Sequence, residues 1–84
     1  MNAEEMFLKL DFHIVNKSPL TYQKDDGGYI TQYLFNPVTQ GLQISEWEEY
    51  NNNKPQGTTT LYLEHIEAIK QQYKELGWKI YELW

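Results

Sequence analysis

The side chains able to move a proton or hold a metal are few in this sequence. There are two histidines, His13 and His65, twelve Asp and Glu, seven lysines, and neither cysteine nor arginine. His13 follows Asp11 by two residues. On a strand that spacing puts both on one face, where a carboxylate could orient an imidazole as a general base. A solvated histidine on an exposed sheet face is the favoured reading. His65 lies in Glu64-His65-Ile66-Glu67. A zinc helix of the His-Glu-x-x-His kind needs two histidines four residues apart on one face, so His65 reads as a helix-surface residue. Ser18 and Ser45 lie in no Gly-x-Ser-x-Gly elbow. Gly27-Gly28 has neither the spacing of a phosphate loop nor a helix after it. Asp25-Asp26 falls short of the six to eight oxygens that calcium takes. No catalytic residue, cofactor or metal is therefore expected.

The elements that would position these groups follow from periodicity. In residues 6–15, MFLKLDFHIV, Leu8, Leu10, Phe12 and Ile14 alternate with Lys9, Asp11 and His13, which predicts a strand. Asn16 to Pro19 interrupts it. Leu20–Lys24, Tyr29–Phe35 and Leu42–Trp47 are rich in β-formers, separated by Asp25-Asp26-Gly27-Gly28 and by 36–41. They read as a β-meander. Tyr62, Ile66, Ile69, Tyr73 and Leu76 are spaced 4, 3, 4 and 3 apart, a helical stripe. One of Thr58, Thr59 and Thr60 would cap its start and Gly77 its end. A last strand is expected over 78–83.

The fold class is thus α+β: one small domain over 1–84, a four- or five-stranded mainly antiparallel sheet with one helix packed on one face, in the order β-β-β-(β)-α-β. Residues 1–5 are expected to fray and 51–57 to form a mobile loop. Eighty-four residues leave room for one modest core. Apolar residues at 40% and charged ones at 23% exclude a disordered chain. No apolar run approaches the roughly 20 residues of a membrane helix. The acidic start, Met1-Asn2-Ala3-Glu4-Glu5, is unlike a secretory signal. A cytoplasmic protein is expected.

Charge and aromatic content point to binding. The formal net charge is −5. All of it comes from residues 1–53, with eight acids and three lysines, whereas 54–84 balance. Nucleic-acid binders neutralise phosphates with Lys and Arg, so direct nucleic-acid binding is disfavoured. Aromatics make up 15% of the chain. If Ile30 and Leu34 face the helix, then Tyr29, Tyr33 and Phe35 form an open aromatic face suited to a protein partner. Tyr81 and Trp84 could join it. The opposing reading buries the tyrosine face instead. Glu46-Trp47-Glu48-Glu49-Tyr50 interleaves carboxylates with aromatics, which would meet a basic surface. Partner-binding residues are accordingly expected at Tyr29, Tyr33, Phe35, Glu46, Trp47, Glu48, Glu49 and Tyr50.

The expected function is a non-enzymatic binding module, monomeric or homodimeric, that docks a basic protein partner. In size and charge it is analogous to inhibitors and regulators of phage or mobile-element type, whose carboxylates stand in place of phosphates. The alternative is a small-ligand-binding protein or an accessory subunit of a larger enzyme or assembly. Its pocket would lie between the sheet and the 51–57 loop, with Asp11 and His13 as polar groups.

Overall fold

A computed structural model describes residues 1–49 and 60–79. Its elements in chain order are α1 (Ala3–Lys9), β1 (His13–Lys17), β2 (Leu20–Asp26), β3 (Tyr29–Asn36), β4 (Gly41–Glu48) and α2 (Leu63–Leu76). This is the expected α+β class, with a four-stranded antiparallel sheet in the meander order β1-β2-β3-β4. The chain groups into two compact units, one of residues 12–59 and one of residues 1–11 with 60–84.

In the sheet unit, the turn chemistry sets the register. Asp26 pairs with Tyr29, which leaves Gly27 and Gly28 as a two-residue connection. Their φ angles are 63° and 94°, the left-handed values that a tight hairpin needs and that glycine adopts without a Cβ penalty. The Asp25 carboxylate accepts from the Gly28 N–H at 2.9 Å. It is thereby engaged in the turn. The next connection is held by Asn36, whose Oδ1 accepts from the Val38 N–H at 2.9 Å. Once Asp26 meets Tyr29, every later pair is determined: Tyr22 opposite Tyr33, and Leu20 opposite Phe35.

The core of this unit is aromatic. Phe12, Tyr22, Tyr33 and Phe35 are among the most deeply buried side chains of the chain. Phe12 stacks on Tyr33 with ring centroids 4.7 Å apart, and Tyr22 meets Phe35 edge-on at 6.1 Å. Both are favoured aromatic geometries. The strand β1 is short and irregular. Its register shifts between Ile14 and Asn16, so Val15 bulges and is exposed.

In the helical unit, α1 replaces the first half of the strand expected over 6–15. The segment carries two periodicities at once. The even-numbered alternation fits a strand, but Ala3, Met6, Phe7 and Leu10 fit a helix at spacings of three, one and three. The N-terminus decides between them. Asn2 Oδ1 accepts from the Glu5 N–H at 2.8 Å, and Glu5 Oε1 accepts from the Asn2 N–H at 3.1 Å. This reciprocal box satisfies two orphan donors of the first turn. Residues 3–5, expected to fray, therefore open a helix, and Ala3 and Phe7 are fully buried. The strand part of the expectation survives only as β1.

The helix α2 starts later than its pattern suggested. Its N-cap is Tyr62, not a threonine, and the Tyr62 N–H donates to His65 Nδ1 at 3.3 Å. The ring of His65 thus serves the first turn of the helix. Ala68, Ile69 and Gln72 are the buried centre, while Tyr62, Leu63 and Leu76 at the ends are exposed. The C-terminus is as expected. Gly77 has φ 76°, its N–H donates to the Lys74 carbonyl at 3.1 Å, and the Trp78 N–H donates to the Tyr73 carbonyl at 2.9 Å. The Tyr73 and Trp78 rings meet edge-on at 5.2 Å, the apolar contact that accompanies this cap. A Gly77→Ala variant should lose about 1–2 kcal/mol, since no atom would crowd the new Cβ and only the left-handed backbone opposes it. Urea denaturation checks this, and an unchanged midpoint would contradict it.

The two helices pack on each other. The Ala3 N–H donates to Glu75 Oε2 at 2.8 Å, and Gln71 Nε2 donates to the same oxygen at 2.9 Å. The start of α1 is therefore tied to the end of α2. The final strand expected over 78–83 falls outside the described residues from 80 onward, and Trp78 belongs to the cap of α2. The loop expected over 51–57 also lies outside them.

Candidate functional site

Antiparallel pairing brings together residues that are distant in sequence. The C-terminal end of β2, the N-terminal end of β3 and the C-terminal end of β4 meet at one end of the sheet. Asp25 and Asp26 arrive there from β2, and Glu46, Glu48 and Glu49 from β4 and just beyond it. These are all five acids of residues 12–59. Lys24 is there too, opposite Thr31, which in turn pairs with Glu46. Lys17 stands at the far end, opposite Leu20. Among the described residues, the result is an acidic end with one lysine among five carboxylates.

Tyr29 sits at its centre, between Asp26 on β2 and Glu48 on β4. Its hydroxyl donates to Glu46 Oε2 at 2.9 Å. That hydrogen bond, some burial and the charges of Glu46 and Glu48 raise its phenol above the ordinary value of 10.0. Tyr29, Glu46 and Glu48 share one face by alternation. Trp47 lies on the other, half-buried and opposite Ile30. The expected interleaved patch is thus divided: the carboxylates of Glu46 and Glu48 point to one side and the indole of Trp47 to the other. Glu49 is exposed, and its N–H donates to the Gly28 carbonyl at 2.8 Å. Tyr50, Tyr81 and Trp84 lie outside the described residues.

The expected open aromatic face is not open. Tyr33 is 2% exposed and Phe35 1%. The neighbouring strands explain why. On the face of Tyr33 and Phe35 the register adds Leu20 and Tyr22 from β2, and Leu42 and Ile44 from β4. The opposite face adds Gln23, Gln43 and Ser45 beside Gln32. That opposite face also carries Ile30 and Thr21, which are buried, so it is covered in part. Its centre is a row of amides, however, and burying the aromatic centre removes far more apolar surface from water. Gln32 Nε2 instead donates to Gln23 Oε1 across the polar face at 3.1 Å. The signal was available in the two-glycine turn, which sets the pairing and so the partners of each face.

Tyr33 has a consequence for alkaline stability. Burial, with a contribution from the Glu46 charge, pushes its phenol up to about 12 from 10.0. Below pH 10 folded and unfolded chains both hold this proton, so stability does not depend on it. As pH rises from 10 the unfolded chain ionises first, and stability falls until the folded phenol also ionises near 12. Tyr33→Phe should remove this contribution from the alkaline stability loss in that window. Denaturation at a series of pH values tests it, and an alkaline profile identical to the parent's would contradict it.

The general-base pair is not assembled as expected. Asp11 lies in the turn after α1 with φ 67°, not on β1, so strand alternation does not place it beside His13. His13 is exposed and pairs with Gln23. Among the described residues, no three His, Asp or Glu are grouped closely enough to hold a metal ion. None of their helices is long and apolar enough to cross a membrane.

A groove of about 540 Å³ in the helical unit escaped the sequence reading. Met6, Glu67, Lys70, Gln71, Lys74 and Trp78 line it, and none of the expected site residues does. The helical unit also takes Glu4, Glu5 and Asp11 from the acidic first half of the chain. Acidity is therefore divided between the units rather than confined to the sheet. Comparisons with family models, with curated proteins and with solved structures returned no match.

Proposed function

We propose that the protein is a small, non-enzymatic binding module that docks a basic protein partner through the acidic end of its sheet. One observation carries this reading: the register of β2, β3 and β4 gathers five carboxylates and a hydrogen-bonded tyrosine at one end. Such a surface attracts Lys- and Arg-rich partners, speeds their encounter and rejects acidic competitors. Where the partner is itself a nucleic-acid binder, the carboxylates occupy the place of phosphates, and the module acts as an inhibitor or regulator. Of the residues expected to bind, Tyr29, Glu46 and Glu48 form the docking surface, and Glu49 and Trp47 flank it from the other face. Tyr33 and Phe35 belong to the core.

The test compares the protein with a Glu48→Gln/Glu49→Gln variant as bait in a lysate over a salt series. Both positions are exposed, so the variant should fold like the parent. Basic proteins should be retained by the parent, released as salt rises, and retained less by the variant. Equal capture by both baits, or captured proteins of neutral or acidic character without salt dependence, would refute the reading.

A further inference from the structure

Among the described residues, β4 is the outer strand at one side of the sheet. One bond fixes which of its peptide groups point outward. The Glu49 N–H donates to the Gly28 carbonyl, so that pair is hydrogen-bonded. Bonded and non-bonded pairs alternate in an antiparallel ladder. Gln43, Ser45 and Trp47 therefore bond to β3, and the peptide groups of Leu42, Ile44, Glu46 and Glu48 point away from it. Those of Leu42, Ile44 and Glu48 bond to no other described residue. Their side chains share the face that carries Tyr29 and the Glu46 carboxylate.

The two edges of the sheet differ in their protection. The strand β1 has five residues, a bulge, a lysine and a proline close after its end. These are devices that discourage a further strand. By contrast, β4 has eight residues in unbroken register with β3, and no Pro, Lys or bulge. Its edge runs from the apolar pair Leu42 and Ile44 to the acidic pair Glu46 and Glu48.

We propose that the outer edge of β4 takes up an extended basic segment of the partner as a fifth, antiparallel strand. This rests on the docking reading above and supplies its geometry. Main-chain bonds to Leu42, Ile44 and Glu48 hold the segment, and alternate side chains set its specificity. Lysine or arginine stands opposite Glu48 and Glu46, followed by apolar residues opposite Ile44 and Leu42. A second copy of this chain fits the edge less well. A two-fold pairing centred on Ile44 would set Glu48 against Gln40 and Glu46 against Leu42, supplying no cation to the acidic end while adding a second charge of −5.

The probe is a peptide of sequence Lys-Thr-Lys-Thr-Val-Thr-Val, with a control N-methylated at both valines, which stand opposite Ile44 and Leu42. The readout is amide hydrogen exchange by NMR. In the free protein Leu42, Ile44 and Glu48 should exchange quickly, and Gln43, Ser45 and Trp47 slowly. Saturation with the peptide should slow the first set on the order of tenfold or more. The N-methylated control should not do so, and salt should weaken the effect. If both peptides bind equally in a salt-dependent way without alternate protection, or if neither binds, strand addition is overturned. The docking reading then stands or falls on the Glu48→Gln/Glu49→Gln capture comparison. Protection of the first set without peptide, growing with protein concentration, would assign the edge to a second copy and also overturn the proposal.

Discussion

Tyr33→Ala should cost about 3–5 kcal/mol of folding stability, the range for truncating a large buried aromatic. The side chain is 2% exposed and stacks on Phe12 at 4.7 Å, while Tyr22 lies directly opposite it on β2. Removing the ring strips apolar area from the core and leaves a cavity bordered by rigid aromatic neighbours, which collapse poorly. A chain of this length has a total stability of only about 4–13 kcal/mol. The variant should therefore unfold at much lower denaturant, or not fold at 37 °C. The same experiment separates two roles for Tyr33. A docking residue on an open face would change stability little and binding greatly. Urea denaturation of Tyr33→Ala with a midpoint near the parent's would contradict the buried placement.

Glu75→Ala should cost about 1–3 kcal/mol although the side chain itself is exposed. The cost arises at its partner. Ala3 is fully buried, and its N–H is one of the donors that the first turn of α1 cannot satisfy internally. Glu75 Oε2 supplies the acceptor at 2.8 Å. Alanine leaves that donor without an acceptor and also removes a negative charge from a helix N-terminus, where it is favourable. A seven-residue helix has little stability of its own, so α1 depends on such ties. Glu75→Gln keeps an acceptor oxygen and should lose less than half as much. Urea denaturation of both variants tests the claim. Equal losses for Ala and Gln would place the effect in charge alone, and no loss in either would refute it.

Local chemistry made much of the fold legible. The two-glycine turn, the asparagine turn at 36–41, the β-formers between them and the αL glycine after α2 act over a few residues, and each appears where its residues stand. The misreading of residues 6–10 is also local. Asn2 and Glu5 carry a capping signal that competes with the strand alternation of Leu8, Leu10 and Phe12. The helix won because two satisfied donors and a buried Phe7 stabilise it, while Leu8 is left exposed.

The acidic end proposed to dock a partner was legible only in part. Glu46, Glu48 and Glu49 could be picked out as a run, but a run does not reveal that Asp25, Asp26 and Tyr29 join it. The choice of buried face could not be read from β3 alone, since Ile30 and Leu34 are as apolar as Tyr33 and Phe35. It depends on what β2 and β4 add to each side.

Composition, turn residues and period determine which segments become strands and helices, because those preferences are settled between near neighbours in the chain. The absence of cysteine and arginine and the net charge of −5 likewise belong to the sequence, and they narrow the chemistry before any folding is considered. The division of the aromatics between core and surface, the gathering of five carboxylates at one end, and the outward direction of alternate peptide groups along β4 are set only when strands pair. Pairing joins residues that the chain keeps apart. Burial is then decided by the sum over a whole sheet face, a quantity no single segment carries.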